Sequence, residues 1–221
     1  MMRAPDAPDA TLDAALVAAL FAVDPAGTGG VRLRSSVHPV RDQWLRHLRQ
    51  LLPEGTPWRR AAANIGDDRL LGGMDLAATL RAGRPIVQPG VLAEADGGVV
   101  ILALAERLPA AMAARVAAAL DTGEIVLCRE SIDARAATRI GVVALDEGIG
   151  DGEAPAASLI DRLAFHLDFD GLSVRTRIPH AYTQGEIATA RSRLARVRVP
   201  RAIQQALAAA ALALGAGSPR V

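Results

Sequence analysis

"GGVVILALAERLPAAMAARVAAALDTGE", residues 97–124, decides the class of fold. Val99 to Leu104 is an unbroken apolar run, the pattern of a strand covered on both faces rather than one. Pro109 then sets up a helix that runs to Asp121, with Gly123 placed as its stop. A doubly buried strand feeding directly into a helix is the repeating unit of a parallel sheet.

Upstream, "VRLRSSVHPVRDQWLRHLRQLLP" (31–53) repeats the unit. Val31 to Leu33 is a short strand. The helix after it, from about Val40 to Leu52, puts Val40, Trp44, Leu48, Leu51 and Leu52 on one face, and Pro53 closes it. An earlier helix, Thr11 to Phe21, ends at Asp24-Pro25. A second strand is expected near Arg60 to Ile65, and "LLGGMDLAATLRAG" predicts a glycine turn, a short helix and a glycine stop. Downstream, "EIVLCRESIDARA" reads as a hairpin and "RIGVVAL" as another buried strand. A helix over Ala157 to Ala164 leads to a last strand at Phe165 to Asp168. Tyr182 to Val197 and Pro200 to Leu214 are helical. Residues 1–180 are thus expected to form an α/β domain, and 181–221 the start of a helical lid that breaks off at "GAGSPRV" as if more helix followed.

Composition removes several classes of function. The 25 basic and 24 acidic residues nearly cancel, and only 3% of residues are aromatic, so neither bulk charge nor stacking surface favours nucleic acid. The single cysteine, Cys128, excludes an intrachain disulfide and suits a reducing compartment. The N-terminal apolar stretch carries Asp13 and Asp24 where a secretory signal would be uncharged, and no later run reaches a membrane span. A cytoplasmic location is expected.

Between the strand at Val31 and the helix after it lies "SSVHPVRD". This is the place where an ATPase carries G-x-x-x-x-G-K-[ST], whose backbone N–H groups and lysine hold phosphates.

Three segments carry a family likeness: "DPAGTGGVRLR" (24–34), "DDRLLGGMDLAATLRAGRPIVQPGVLAEADGGVVILALAERL" (67–108) and "SLIDRLAFHLD" (158–168). Together they resemble the D subunits of magnesium chelatases, AAA+ partners of the ATP-hydrolysing I subunit in chlorophyll and bacteriochlorophyll biosynthesis. The likeness runs from about Leu16 to the C-terminus. It implies an AAA+ P-loop-type parallel sheet flanked by helices. It also implies a longer chain, with a linker and an integrin-I-like metal domain.

Set against the I-subunit pattern, Ser35 and Val40 stand where the two loop glycines would be, Arg41 where the lysine would be, and Asp42 where the Mg-binding Ser/Thr would be. Val40 cannot adopt glycine's backbone angles cheaply, and Pro39 removes an N–H donor. The strand that should end in Asp-Glu ends in Ala103-Leu104, with the next acid, Glu106, two residues too late. The nearest polar groups at the sensor position, Asp146 and Glu147, would repel a γ-phosphate. What is kept is "LIDRL", which matches the pattern of an arginine finger, so the resemblance makes Arg162 a finger acting on a neighbour's ATP. Arg220 lies near the place of the second-sensor arginine.

Plainer readings stand beside these. Arg162 also suits a surface arginine paired with Asp161 or Asp168. His38 and Asp42 lack a third ligand at a sensible spacing. Glu94 and Asp96 fit a turn before a strand, and "GTGG" (27–30) precedes a strand where a phosphate loop must follow one.

The resemblance therefore implies a non-hydrolytic subunit in a mixed ring with the I subunit, coupling ATP turnover to Mg²⁺ insertion into protoporphyrin IX on the porphyrin-binding H subunit. ATP and Mg²⁺ would sit at the interface with the ATPase partner, with no cofactor or metal held tightly by this chain. The alternatives are a structural adaptor and an ATPase with an atypical loop.

Overall fold

The computed structural model describes residues 7–129, 132–150 and 152–215. Its centre is a five-stranded parallel sheet made of β1 (Gly30–Arg34), β2 (Trp58–Ala61), β5 (Val99–Leu102), β8 (Gly141–Asp146) and β9 (Phe165–Asp168), in the order β2-β5-β8-β1-β9. Two antiparallel pairs lie outside it: β3 (Gly72–Met74) with β4 (Val87–Pro89), and β6 (Glu124–Arg129) with β7 (Ile132–Ala137).

Side-chain alternation in β5 and β8 explains their continuous apolar sequence, since each face of the sheet needs its own apolar set. Val99, Ile101, Val143 and Leu145 join Val31 and Leu33 under α1 (Ala7–Val23) and α2 (Pro39–Leu51). Val100, Leu102, Val142 and Ala144 face α6 (Ala110–Thr122), through Met112, Ala113 and Val116. Helix α1 presents Ala14, Ala15, Ala18 and Ala22 to the core, small enough for α2 to pack close. Fully buried Trp44 on α2 donates its indole N–H to the Ala14 carbonyl at 2.8 Å.

Five short helices complete the order: α3 (Asp67–Leu70), α4 (Leu76–Ala82), α5 (Val91–Glu94), a 3₁₀ turn (Ala105–Arg107) and α7 (Ala157–Ile160). The chain closes with α8 (Gln184–Leu194) and α9 (Arg201–Ala213). Helix α8 packs on the main core, with Ile187 buried and Arg191 donating from Nε to the Ala22 carbonyl at the end of α1 at 2.9 Å. Helix α9 buries no residue.

Three sequence expectations shift, in the second strand, the helix after Ala157 and the glycine-rich segment. The second strand is Trp58–Ala61 rather than Arg60 to Ile65, because Ala61 is its last residue in register with β5. Strand β5 covers Val99–Leu102 as its sequence implied, and beyond it Leu104 turns into the left-handed region at φ 52°. The helix expected to reach Ala164 ends at Ile160, its last N–H groups bending back in tight turns to Leu159 and Ile160. The glycine-rich segment after Leu71 contains the β3–β4 pair as well as a helix.

His47 on α2 is buried edge-on against His180, ring centroids 4.5 Å apart, and neither of its ring nitrogens meets a hydrogen-bond partner among the described residues. Burial, with a smaller contribution from His180, lowers its pKa below the ordinary 6.5. The folded chain therefore resists protonating His47 while the unfolded chain does not. Stability should be full above pH 6.5 and fall as pH drops below that value. Urea midpoints at about pH 7.5 and about pH 5.5 should differ less in His47→Leu than in the parent. An unchanged difference would clear His47 of the effect.

Candidate functional site

In an open parallel sheet, ligands bind beyond the carboxyl ends of the strands where the strand order reverses. Here that place is the end of β1, since the chain leaves β1 for β2 on one side and returns to β9 on the other. The loop there is Ser35 to His38, between β1 and α2. Buried Ser35 donates its backbone N–H to the Asp146 carbonyl at 2.9 Å, and its hydroxyl turns back to the Ser36 carbonyl at 2.9 Å. His38 is the N-cap of α2, its Nδ1 accepting the Val40 N–H at 3.3 Å, with Pro39 in the first helical turn. Val40 is core.

Arg41 is 6% exposed, and its Nη1 donates to Glu147 Oε1 at 2.7 Å. Asp42, largely exposed, places a carboxylate oxygen 3.7 Å from the Arg41 Nε. Beside them, the Asp146 carboxylate accepts from Arg32 Nε at 2.9 Å and Nη2 at 2.6 Å, and from the Gly148 N–H at 3.1 Å. The Glu106 side chain, 1% exposed, accepts the Glu147 N–H at 3.0 Å. Sequence reasoning took Asp146 and Glu147 as bare repulsive charges. The structure gives each a guanidinium. Arg32, two residues before the end of β1, was missed, because only sheet register brings it beside β8.

A phosphate entering between β1 and β8 would have to separate Arg41 from Glu147 and then face Glu106, Asp146 and Glu147. At the end of β5, Ala103 and Leu104 supply no acid. Ala103 donates its N–H to the Ala61 carbonyl, and Leu104 is the one non-glycine residue with positive φ among those described. That conformation costs about 1–2 kcal/mol. Among the described residues, no group of three or more His, Cys, Asp or Glu side chains is placed to hold a metal. Glu94 is paired with Arg59 at 3.0 Å, and Asp96 accepts the Arg139 N–H at 2.7 Å.

Arg162 lies at the other end of the sheet, in the turn between α7 and β9. Since β9 and β1 are parallel, the strand length, roughly 16 Å for five residues, separates it from the loop at Ser35. Its Nε donates to Asp121 Oδ2 at 2.9 Å and to the Ala117 carbonyl at 3.2 Å, and its Nη1 to the Ser158 carbonyl. Neither Asp161 nor Asp168 is its ion-pair partner. The "GTGG" turn lies directly behind it: a Cβ on Gly29, at φ +68°, would stand 2.0 Å from the Arg162 carbonyl oxygen, and Ala164 donates its N–H to Thr28. A cleft of ≈ 310 Å³ is lined by this turn, Asp121, Asp161 and Arg162. Arg220 falls outside the described residues.

Removing one partner of a mostly buried ion pair strands the other, so Arg41→Ala should destabilise the fold by about 2–4 kcal/mol. The double variant Arg41→Ala/Glu147→Ala should lose less than the sum of the singles in chemical denaturation. Additive losses would mean that the pair is not coupled.

No family model matches the chain. Over 201 residues, 91% of this chain, it is 41% identical to the magnesium-chelatase 60 kDa subunit of Cereibacter sphaeroides, and the match covers 32% of that subunit. Over 113 residues, 51% of this chain, it is 37% identical to the magnesium-chelatase 67 kDa subunit of Chlorobaculum tepidum, covering 18% of it. The chain thus spans about a third or less of the length of these relatives. Among solved structures, one chain of a complex between subunits BchI and BchD of magnesium chelatase superposes with a TM-score of 0.57 at 22% identity. The superposition covers 85% of this chain and 74% of that one. The homologues are magnesium-chelatase subunits, and the likeness to solved structures establishes an α/β AAA+ fold.

Proposed function

We propose that this chain is the AAA+ module of a D-type magnesium-chelatase subunit. It assembles with the ATPase I subunit in a mixed ring and couples ATP hydrolysis there to Mg²⁺ insertion into protoporphyrin IX on a separate porphyrin-binding subunit. The observation that carries this reading is the 41% identity to a magnesium-chelatase subunit over nearly the whole chain, in a fold whose own phosphate loop is closed by an internal ion pair.

In this reading the chain itself neither holds nor hydrolyses ATP. Ser35 and Val40 offer no open backbone cradle, Arg41 is committed to Glu147, Asp42 brings a negative charge, and Ala103 and Leu104 supply neither the acid for Mg²⁺ nor the one that orients water. ATP and Mg²⁺ belong to the partner's site. Arg162 serves that site in trans, because it stands at the opposite end of the sheet from its own loop. A planar guanidinium there stabilises charge that develops on the transferring phosphoryl group, and it needs no nucleotide of its own.

Calorimetry of the chain with Mg-ATP should show no micromolar binding; such binding would revive the atypical-ATPase reading. In the reconstituted complex, Arg162→Ala should leave assembly intact and lower ATP turnover and Mg²⁺ insertion by about tenfold or more. That is less than the roughly 10³–10⁵ of an isolated finger, since other sites in the ring still work. Arg162→Lys should recover little, because an ammonium cannot span two phosphate oxygens. Full activity in an assembled Arg162→Ala complex would leave the structural adaptor as the better account.

A further inference from the structure

Asp121 sits in the last turn of α6, where the helix dipole disfavours an acid and where no basic residue offsets it. Asp is also a poor helix former. Such a locally unfavourable choice marks a residue kept for a contact elsewhere. One such contact is with Arg162, 41 residues away: Oδ2 of Asp121 accepts from Nε at 2.9 Å and from Nη2 at 2.5 Å. The carboxylate therefore holds the side edge of the guanidinium, the edge formed by Nε and one terminal nitrogen.

A guanidinium has five N–H bonds. The Nε bond is shared between Asp121 and the Ala117 carbonyl, one bond of Nη2 goes to Asp121, and one bond of Nη1 goes to the Ser158 carbonyl. Among the described residues this leaves one N–H on each terminal nitrogen without an acceptor. The backbone of the turn is fixed from behind at the same time, by the close approach of Gly29 to the Arg162 carbonyl and by the Ala164 N–H to Thr28. With the backbone pinned and one edge clamped, a long side chain that would otherwise sample many rotamers is set in one orientation beside the cleft.

We propose that Asp121 is the positioning residue of Arg162, clamping one edge of the guanidinium so that the other two N–H groups are presented as a preformed fork to phosphoryl oxygens of a neighbouring subunit. This rests on the reading of Arg162 as a finger in trans. A positioned group lowers the barrier by avoiding reorganisation at the moment of reaction, so its loss acts on turnover rather than on nucleotide affinity. Asp121 itself touches no phosphate.

The test uses the natural-length polypeptide reconstituted with its ATPase partner, in the variants Asp121→Ala, Asp121→Asn, Arg162→Ala and Asp121→Ala/Arg162→Ala, with assembly confirmed by size. Asp121→Ala should lower kcat for ATP by about tenfold while KM stays within about twofold. Asp121→Asn retains a carbonyl oxygen that can accept from the same edge, and should recover most of the loss. In the Arg162→Ala background, Asp121→Ala should have no further effect, because the residue acts only through the arginine. If Arg162→Ala lowers kcat but Asp121→Ala does not, the positioning role is wrong and the finger stands. If Asp121→Ala lowers kcat equally in both backgrounds, the aspartate acts independently and the proposal fails. If neither single variant changes kcat, the finger reading falls and the positioning role with it.

Discussion

The structure depends on β8 being enclosed. Its six residues are buried, and it is hydrogen-bonded to β5 on one edge and β1 on the other, so no part of it can be solvated or shifted without exposing apolar surface on both faces. At its start, Gly141 lets Phe21 and Pro25 pack against the backbone, where a Cβ would stand 2.6 Å from each. At its end, Asp146 emerges from the apolar layer and needs a cation. Arg32 answers that need directly, and Arg41 answers the adjoining Glu147.

The parallel arrangement also separates two kinds of chemistry. Loops after the strands gather Ser35, Arg41, Glu106 and Glu147 at one rim, where positive and negative groups satisfy one another. Turns before the strands gather Gly29, Asp121 and Arg162 at the other, where a guanidinium keeps donors in reserve. Under the proposed ring assembly, it is the second rim that would face a neighbouring subunit.

Much of the sheet was legible because burial on both faces leaves a plain mark. "VVIL" and "GVVALD" admit no polar residue until the strand ends, and Gly123 at φ 67° stops α6 where its position suggested. The β3–β4 pair was not legible, since its three-residue strands carry no alternation and are built on glycines whose backbone meets Gly90 and Gln88. At the site, departures from the ATPase pattern could be read from single positions: a Val for a Gly, or Ala-Leu for two acids. Pairings could not. Arg32 with Asp146, Arg41 with Glu147 and Asp121 with Arg162 join residues 114, 106 and 41 apart, and only sheet register and helix packing bring them together. The one available hint, an acid in the last turn of α6, lay in a local preference that had been broken.

The Arg41–Glu147 pair also has a historical meaning. Each member is tolerated in the interior because the other is present, so neither can be exchanged alone without leaving a mostly buried charge stranded. On the proposed reading, a lineage drifting toward nucleotide binding would have to change both positions together. It would also need acids restored at Ala103 and Leu104, on a backbone that still bends there through a left-handed residue. On the proposed reading the ion pair works as a ratchet: once formed, it makes an absent phosphate cradle easier to keep than to undo.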